Sequence, residues 1–302
     1  MAEGARESEL AVPAPGGERL DVFVARALGA SRARVKEAFD AGEVRVDGRR
    51  ARKGDRTIAG SRVTVLLPEA PGAPVPEPEL PLSILHEDDR LLAVDKPAGW
   101  PTHPLRAGER GTLANAVAAR HPECAAAGDE LREGGVCHRL DRETSGVVLV
   151  ARTPEAYRWV REALASGRAE KLYLALVRGE PPAEGSCERP LASRGDGPPR
   201  AAEAGRPART TFRRLAAKGG FALLGVRIET GVRYQIRAHL AALGYPLAGD
   251  PIYGGGEPPP GLDRQLLHAS RVALAQPSGG RLEVEAPLPA DALACLSGLG
   301  LR

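Results

Sequence analysis

The sequence has little of what marks a secreted, membrane-spanning or metal-binding protein. It contains four scattered cysteines, Cys124, Cys137, Cys187 and Cys295, with no C-x-x-C pair among them. Without paired spacing, neither a disulfide framework nor a zinc site is supported, and we expect reduced thiols. No apolar run approaches the roughly 20 residues that cross a bilayer.

The first residues of the chain also lack a targeting pattern. Residues 1–16 are small, polar and rich in proline and glycine. A secretory signal would place a basic stretch before an apolar one, which is not found here. We therefore predict a disordered tail over 1–16 and a cytoplasmic location.

Positive charge is concentrated in one segment. The whole chain has a formal net charge of +3, yet residues 18–68 carry twelve Lys/Arg against seven Asp/Glu. That segment is therefore +5 and the remainder −2. A compact basic segment joined to a near-neutral one suggests a polyanion-binding module attached to a second domain. A solvated surface would show the same charge, so charge alone leaves both interpretations open.

Repeated prolines predict the main domain boundary. Residues 69–81 read EAPGAPVPEPELP, and proline both restricts φ and removes a backbone donor, so this stretch should be an extended linker. We thus predict a tail over 1–16, a small domain over 17–68, the linker over 69–81 and a large domain over 82–302.

The small domain reads as two helices followed by short strands. Apolar residues recur at helical spacing from Leu20 until Gly29 breaks the run, and Ser31 suits the N-cap of a second helix. Asp47-Gly48 is a hairpin turn signal. The predicted elements are helices over 20–28 and 32–41 and strands over 44–46 and 62–67.

The large domain alternates short β-like runs with helical stretches. The order is irregular and indicates a mixed α+β domain, not repeated βαβ units. The predicted strands are 91–94, 146–151, 173–177, 222–228 and 281–284, and the predicted helices are 112–120, 154–166 and 234–243. Residues 181–207 and 254–261 are rich in glycine, proline and charge, and we expect surface loops there.

The segment with the most chemical information is 136–152, VCHRLDRETSGVVLVAR. Asp141 lies between Arg139 and Arg142, and nearby guanidinium groups are expected to lower its pKa and keep it ionised. An ionised carboxylate on a loop can act as a nucleophile or a base. Taken alone, the same cluster is better interpreted as a surface ion-pair group, which is common.

Several ordered motifs support the catalytic interpretation. H-R-L-D-x-x-T-S-G followed by V-V-L-V-A resembles the central motif of the RluA-type RNA pseudouridine synthases. The family's other motifs follow in order, and such a set is more specific than any single motif. They are represented by Leu92-Ala93-Val94-Asp95-Lys96-Pro97-Ala98-Gly99, Lys171-Leu172-Tyr173-Leu174-Ala175, Gln235-Ile236-Arg237, Gly249-Asp250 and Leu267-His268-Ala269. The basic segment resembles the S4 RNA-binding domain through Arg19-Leu20-Asp21, Ser31-Arg32 and Gly42-Glu43-Val44-Arg45-Val46-Asp47-Gly48.

Three positions depart from these patterns. Gly60-Ser61 stands where the S4 domain usually has Gly-Asp. Val232 and Tyr234 replace a common arginine and a common histidine of the third synthase motif. Since none of these changes affects Asp141, Tyr173 or Arg237, we expect activity to survive and substrate contacts to differ.

The resemblance implies a fold, an activity and a partner. The fold would be α+β: a pseudouridine synthase catalytic domain with a mixed, largely antiparallel sheet and flanking helices, preceded by a small α/β S4-like domain. The enzyme would isomerise specific uridines to pseudouridine in structured RNA, with large-subunit ribosomal RNA favoured over transfer RNA. We expect a monomer that needs no cofactor, metal or membrane.

The resemblance also implies residue roles. Asp141 would be the catalytic aspartate, Tyr173 would pack against the target base and assist proton removal from C5, and Arg237 would pair with Asp141. Arg139 would enter the RNA stack that the extruded uridine leaves, since an enzyme acting on a base must flip it out. Further RNA contacts are expected from four basic residues of the S4-like domain: Arg19, Arg32, Arg34 and Lys36.

Alternatives remain at two levels. Asp141 could attack C1′, attack C6, or remove a sugar proton to give a glycal, and the sequence does not choose among these routes. At the level of function, the rival is a non-catalytic RNA-binding or ribosome-assembly factor on the same fold. The presence of Asp141, Tyr173 and Arg237 together favours the enzyme.

Two other enzyme classes are not supported. The H-R-L-D sequence is faintly similar to the H-R-D loop of protein kinases, but the other kinase motifs are missing. A metal hydrolase built on His138, Asp141, His239 and Asp250 lacks ligand spacing, and His103, His239 and His268 are expected to be structural.

Overall fold

The computed structural model describes residues 6–30, 32–68, 72–193, 195 and 197–301. The chain divides into two compact units, Met1–Pro71 and Gly72–Arg302, and each has apolar clusters of its own. Within the described ranges, no helix is long and apolar enough to cross a membrane. The four cysteines are free and buried.

The first unit has the predicted two helices and short strands. Gly29 ends the first helix with a left-handed φ of 58°, and Asp47 and Gly48 turn the hairpin with φ of 48° and 77°, as a type I′ turn requires. The predicted N-cap Ser31 lies outside the described residues. The elements are β1 (Arg6–Ala11), β2 (Gly16–Arg19), α1 (Leu20–Leu28), α2 (Arg32–Ala41), β3 (Val44–Val46), β4 (Arg49–Arg50), β5 (Arg56–Ile58) and β6 (Arg62–Leu67).

The prediction of a disordered tail over 1–16 is wrong from residue 6 onward. Strand β1 pairs antiparallel with β6, from Arg6 opposite Leu67 to Ala11 opposite Arg62, and Val12 is buried in the core of the unit. The pairing covers a strand edge that would otherwise expose its backbone groups. Residues 1–5 lie outside the described part of the chain.

The second unit is built on one large mixed sheet. In the described residues its strand order is β11-β14-β15-β10-β16-β9-β8-β7, with β17 paired to β16. All pairs are antiparallel except β16 with β9, which confirms the mixed, largely antiparallel sheet. The strands of the large sheet are β7 (Ser83–Glu87), β8 (Leu91–Lys96), β9 (Ser145–Ala151), β10 (Glu170–Arg178), β11 (Glu184–Cys187), β14 (Thr210–Lys218), β15 (Phe221–Ile228), β16 (Leu267–Ala275) and β17 (Arg281–Glu285). Strands β12 (Leu191–Ala192) and β13 (Arg200–Ala201) form a separate two-stranded sheet.

Helices flank this sheet. They are α3 (Leu113–Arg120), α4 (Pro154–Ala165), α5 (Gln235–Ala242) and α6 (Ala290–Leu299), with short 3₁₀ turns at Pro122–Ala126 and Leu131–Glu133. The five predicted strands and three predicted helices of this domain are confirmed to within a few residues at their ends. Strands β7, β11, β12, β13, β14 and β16 and helix α6 were not predicted.

The predicted loop over 181–207 is only partly a loop. It contains β11, which pairs with β14 at the edge of the large sheet, and the two-stranded β12–β13 hairpin. These strands have only two to four residues each, which is too few for a clear alternation, and their pairing depends on their partner strands. Residues 254–261 form no helix or strand, in agreement with the prediction.

The proline-rich segment is not a free linker along its whole length. Asn115 Nδ2 donates to the Val75 carbonyl at 2.8 Å, Gly111 N donates to Glu77 Oε2 at 2.6 Å, and Arg120 Nη1 donates to the Leu80 carbonyl at 2.7 Å. From residue 72 the segment therefore packs on α3 and its N-terminal turn. Residues 69–71 lie outside the described part of the chain.

The largest apolar cluster lies between the sheet and helices α3 and α5. Tyr173 and Val226 of the sheet, Leu140 of the loop before β9, and Ile236 at the start of α5 all belong to it. One core thus fixes β10, the 136–144 loop and the first turn of α5 relative to one another.

Candidate active site

A cleft of about 860 Å³ opens where the 136–144 loop, β10 and the start of α5 meet. Asp141, Tyr173 and Arg237 all line it, so the structure brings the three predicted residues into one site. Its other charged lining residues are mainly cationic: Arg139, Arg161, Lys171, Arg206 and Arg233, with Glu162 as the second carboxylate. The electrostatics suit an anionic ligand.

The loop that carries Asp141 is anchored on both sides of that residue. Thr102 Oγ1 donates to the Leu140 carbonyl at 2.9 Å and lies 3.2 Å from the Leu140 amide nitrogen. On the other side, Thr144 N donates to the Asp141 carbonyl at 3.0 Å. These backbone bonds hold the carboxylate without using its own oxygens.

A buried lysine strengthens the same anchor. Lys96 Nζ lies 2.8, 2.7 and 3.0 Å from the carbonyl oxygens of Pro97, Trp100 and Arg142. Arg142 is also tied to Gly99 by a backbone bond of 2.9 Å and a side-chain bond of 2.8 Å. Burial disfavours the charged ammonium and lowers the pKa of Lys96 to about 7, and the charges of Glu143 and Asp141 oppose that shift in part.

Arg237 joins two carboxylates. Its Nη1 lies 3.3 Å from Asp141 Oδ2, while its Nε and Nη2 donate to the two oxygens of Asp250 at 2.7 and 2.8 Å. The predicted contact with Asp141 is therefore present, but the bidentate partner is Asp250. A paired fork of this kind is strong and orientation-specific.

Asp250 is the site residue that sequence reasoning missed. The sequence offers only the Gly249-Asp250 motif as a signal for it. Its side chain is fully buried, and Oδ1 also accepts from the amides of Ile252 and Tyr253 at 2.9 and 3.1 Å. A buried aspartate needs a cation, but its burial is not visible in the sequence.

The pKa of Asp141 moves opposite to the prediction. Burial raises it, and the opposing charges of Arg237, Arg139 and Arg233 lower it, with burial the larger influence. The expectation of a lowered pKa was based on sequence neighbours alone and is wrong. The arginines instead limit how far burial can shift the carboxyl towards its neutral form.

Tyr173 forms an apolar wall of the cleft. It lies on the central strand β10 and is only 8% exposed. Burial, and then the charge of Asp141, raise the pKa of its phenol, so the side chain is a neutral ring and a poor base. Arg139, in contrast, is exposed on the cleft-lining loop.

Histidines near the site have structural partners. His239 lies 2.9 Å from both Thr210 Oγ1 and the Arg189 carbonyl, and His268 similarly bridges Ser145 Oγ and the Ala286 carbonyl. His138 accepts from the Leu149 amide, and burial lowers its pKa to about 3. His103 is also buried. Among the described residues, no group of three or more His, Cys, Asp or Glu side chains could hold a metal ion.

The four basic residues of the first unit that are predicted to contact RNA differ in their exposure and contacts. Arg32 is exposed. Arg34 Nε donates to the Pro68 carbonyl at 2.9 Å, Lys36 pairs with Asp40, and Arg19 makes two bonds of 3.0 Å with Asp21. These contacts stabilise the unit itself.

Comparison with known proteins decides the family. The model of the RNA pseudouridylate synthase family matches residues 90–242, and that of the S4 domain matches residues 18–63. An uncharacterised RNA pseudouridine synthase of Chloroflexus aurantiacus is 42% identical over 292 residues, covering 92% of this chain and 89% of the relative. The chain belongs to the RNA pseudouridylate synthase family.

This pseudouridine synthase is therefore an isomerase that acts on RNA. It is also 35% identical over 315 residues to the ribosomal large subunit pseudouridine synthase D of Nitrosomonas europaea, covering 99% of this chain and 90% of the relative. Its fold is shared with the human RNA pseudouridylate synthase domain containing 4, with a TM-score of 0.58, 24% identity, and coverage of 73% of this chain and 94% of the human one.

Proposed function

We propose that this enzyme isomerises uridines of large-subunit ribosomal RNA and that Asp141 is the carboxylate that acts on the flipped-out nucleotide. The observation that carries the proposal is the position of Asp141 in the cationic cleft, 3.3 Å from the buried Arg237. Support for the ribosomal target comes from the Nitrosomonas europaea relative, which is named for that RNA and aligns along nearly the whole chain.

The cleft suits an extruded nucleotide. Its volume of about 860 Å³ lies within the range of ordinary ligand pockets, and the neutral ring of Tyr173 offers a stacking surface for the uracil. Extrusion costs a few kcal/mol of unstacking. The exposed Arg139 can offset part of that cost by filling the space that the base leaves.

Asp141 must be ionised at the start of each of the three possible routes. The N1–C1′ bond breaks, the uracil turns, C5 bonds to C1′, and the proton that leaves C5 is balanced by one gained at N1. Attack at C1′, attack at C6 and removal of a sugar proton all need a carboxylate. Burial raises the pKa of Asp141 and so favours the neutral carboxyl. The charges of Arg237, Arg139 and Arg233 oppose this and favour the ionised carboxylate.

Tyr173 is assigned to stacking in this proposal. Its raised pKa keeps the phenol protonated, so removal of the C5 proton requires another acceptor, either Asp141 or water. This differs from the expectation that Tyr173 assists proton removal.

The first unit would add affinity for RNA. Phosphate contacts position a protein without specifying sequence, and binding that depends on them weakens as salt rises. Arg32, which is exposed, is our first candidate for such a contact. Arg19, Arg34 and Lys36 would need to give up or share their present partners. The expected monomer stays a prediction.

The test is pseudouridine mapping of total RNA from cells with the wild-type gene, without it, and with Asp141→Asn. This substitution keeps the shape of the side chain and removes its charge. We expect the same large-subunit sites to vanish in the deletion and in Asp141→Asn. Glu162→Gln is the matched control, because Glu162 is the other carboxylate of the cleft and pairs with Arg168.

Each other outcome rejects part of the proposal. Sites that persist with Asp141→Asn but vanish in the deletion would remove Asp141 from the chemistry. Sites lost from transfer RNA and not from the large subunit would reject the target. Equal loss with Glu162→Gln would show that overall charge in the cleft, and not the position of one carboxylate, decides activity.

A further inference from the structure

Tyr234, just before α5, has a backbone conformation that aromatic residues rarely adopt. Its φ and ψ are 58° and 20°, in the left-handed region. A residue with a Cβ is disfavoured there by roughly 1–2 kcal/mol. Among the described residues other than glycine, only Asp47, in a hairpin turn, shares a positive φ. Strain of this kind persists only where the surroundings impose it, and it often marks a functional position.

Hydrogen bonds of the Gln235 side chain hold the turn in which Tyr234 has this left-handed conformation. Gln235 Oε1 accepts from Val232 N at 3.1 Å and from Thr230 Oγ1 at 2.8 Å, while its Nε2 donates to the Arg209 carbonyl at 2.9 Å. The amide is buried and its bonds close the turn from both sides. The chain must therefore reverse at Tyr234, and the ring is directed back over the first turn of α5.

Two guanidinium groups lie close to the ring of Tyr234. The central guanidinium carbon of Arg233 is 4.4 Å from the ring centroid, and that of Arg237 is 4.6 Å away. Both distances are within the range of cation–π attraction. The Tyr234 hydroxyl also accepts from Arg233 Nη2 at 3.0 Å.

A second ring contacts Arg237. The Tyr253 centroid is 5.5 Å from its guanidinium carbon, and the two rings are 6.3 Å apart with an angle of 77° between their planes. Asp250 occupies Nε and Nη2. The group is thus held by two rings and one carboxylate, and Nη1 is the nitrogen that reaches Asp141.

We propose that Tyr234 is a positioning residue for the reaction: with Tyr253, its ring holds Arg237 in the orientation that directs Nη1 at Asp141. This inference rests on the proposed role of Asp141. The 3.3 Å contact to Asp141 is the longest of the three that Arg237 makes to carboxylates, so it is the first to be lost when the guanidinium turns.

Two substitutions separate the ring from the backbone and the hydroxyl. Tyr234→Asn removes the ring but keeps the turn, because asparagine tolerates the left-handed region. Tyr234→Phe keeps the ring and loses only the bond from Arg233. Phe221→Leu is the matched control, since it removes a ring 5.3 Å from the guanidinium of Arg178, outside the cleft lining.

Two measurements read the position of Arg237. One is the single-turnover rate and dissociation constant on an unmodified large-subunit ribosomal RNA transcript. The other is an NMR titration of the Asp141 carboxyl, which needs no substrate. The charged groups around that carboxyl are Arg237, Arg139 and Arg233. In turn, the charge of Asp141 raises the pKa values of Lys96, Tyr173 and Tyr253.

For Tyr234→Asn we expect the rate at saturating RNA to fall roughly 10- to 100-fold, because small misplacements of groups in an active site cause losses of this size. The dissociation constant and the melting temperature should change little. The pKa of Asp141 should rise, because the nearest opposing charge moves away, and the acid limb of the rate profile should move to higher pH with it. Tyr234→Phe and Phe221→Leu should match the wild type in all these readouts.

The opposite pattern would overturn the proposal. If Tyr234→Asn weakens RNA binding while the saturated rate and the Asp141 titration stay unchanged, Tyr234 is an RNA contact and does not position Arg237. A wild-type enzyme that leaves the transcript unmodified would reject the proposed target. The titration would still decide the role of Tyr234 in that case.

Discussion

At the scale of single residues, the site depends on a cation shared between two carboxylates of different exposure. Asp250 is fully buried and takes the bidentate bond, whereas Asp141 faces the cleft and takes one longer contact. The buried carboxylate helps to fix the position of Arg237, and the half-buried one at the cleft is left able to meet a ligand. Under the proposed mechanism, Asp250 is therefore structural and Asp141 is the carboxylate that acts on the nucleotide.

Asp250→Asn should therefore affect both stability and rate. Losing one partner of a buried pair leaves an uncompensated charge, and we expect unfolding to become easier by roughly 3 kcal/mol, with a lower single-turnover rate. Urea unfolding and kinetics would measure these. Asp291→Asn is the control, since Asp291 also pairs with a buried arginine, Arg264, but its side chain is 43% exposed. Equal losses in the two variants would contradict this account.

The burial of Lys96 predicts that the free energy of unfolding depends on pH. Burial lowers its folded-state pKa to about 7 from 10.5, so between these values the unfolded chain binds more protons than the folded one. Stability from this group is therefore lowest below pH 7 and rises with pH above it. Chemical denaturation between pH 7 and 8.5 should show this rise, with a smaller slope in Lys96→Met. Identical slopes in both proteins would exclude Lys96 as the source.

At the scale of elements, the junction of β9 and β16 positions the loop that carries Asp141. It is the one parallel pairing of the large sheet within the described residues, with Ser145 opposite His268 and Gly146 opposite Ala269. Gly146 has φ of 111°, and a Cβ there would lie 2.2 Å from the Ala269 carbonyl oxygen. The Thr-Ser-Gly of the central motif thus ends in a residue that must be glycine for the strands to meet.

Gly146→Ala should separate these strands. We expect a loss of roughly 3 kcal/mol or failure to fold, since both the left-handed φ and the backbone clash oppose a side chain. Gly298→Ala is the control, because Gly298 lies in α6 with open space around it and alanine should stabilise a helix there by about 0.5–1 kcal/mol. Thermal melts of both variants measure this. A Gly146→Ala protein as stable as the wild type would show that the strands can move apart without cost.

At the scale of the whole molecule, the chain has two units with separate cores. The first is closed by β1 on β6, and the second begins at Gly72, within the proline-rich segment that packs on α3. Because each unit buries its own apolar cluster, each has the basis for folding alone.

The fragment 72–302 should therefore fold cooperatively, whereas 82–302 should be less stable. Removal of 72–81 eliminates five hydrogen bonds to α3 and the turn before it, worth roughly 1 kcal/mol each. Calorimetry of the two fragments beside the full chain checks this. Equal stability of the fragments would mean that residues 72–81 do not contribute to the free energy of unfolding.

The fragments also predict how the first unit contributes to RNA binding. In salt titrations of RNA binding, both fragments should show a weaker salt dependence than the full chain.

Local signals in the sequence predicted much of the fold. Gly29 and Asp47-Gly48 act through their own backbone preferences, so the end of α1 and the turn after β3 were located correctly. Apolar runs at 91–94 and 146–151 likewise predicted β8 and β9. The motif order placed Asp141, Tyr173 and Arg237 in one site, as found. Strands β1 and β11 escaped prediction because their pairing depends on partners far along the chain, and their own residues alternate weakly.

The sequence by itself thus determined which side chains are available to the site, since motif and spacing are local properties. Only the tertiary structure decided how they act together. It made Asp250 the bidentate partner of Arg237 and placed Tyr234 and Tyr253 against its guanidinium. It also reversed the expected pKa shift of Asp141, because desolvation depends on how deeply the folded chain buries a carboxyl and not on its neighbours in sequence.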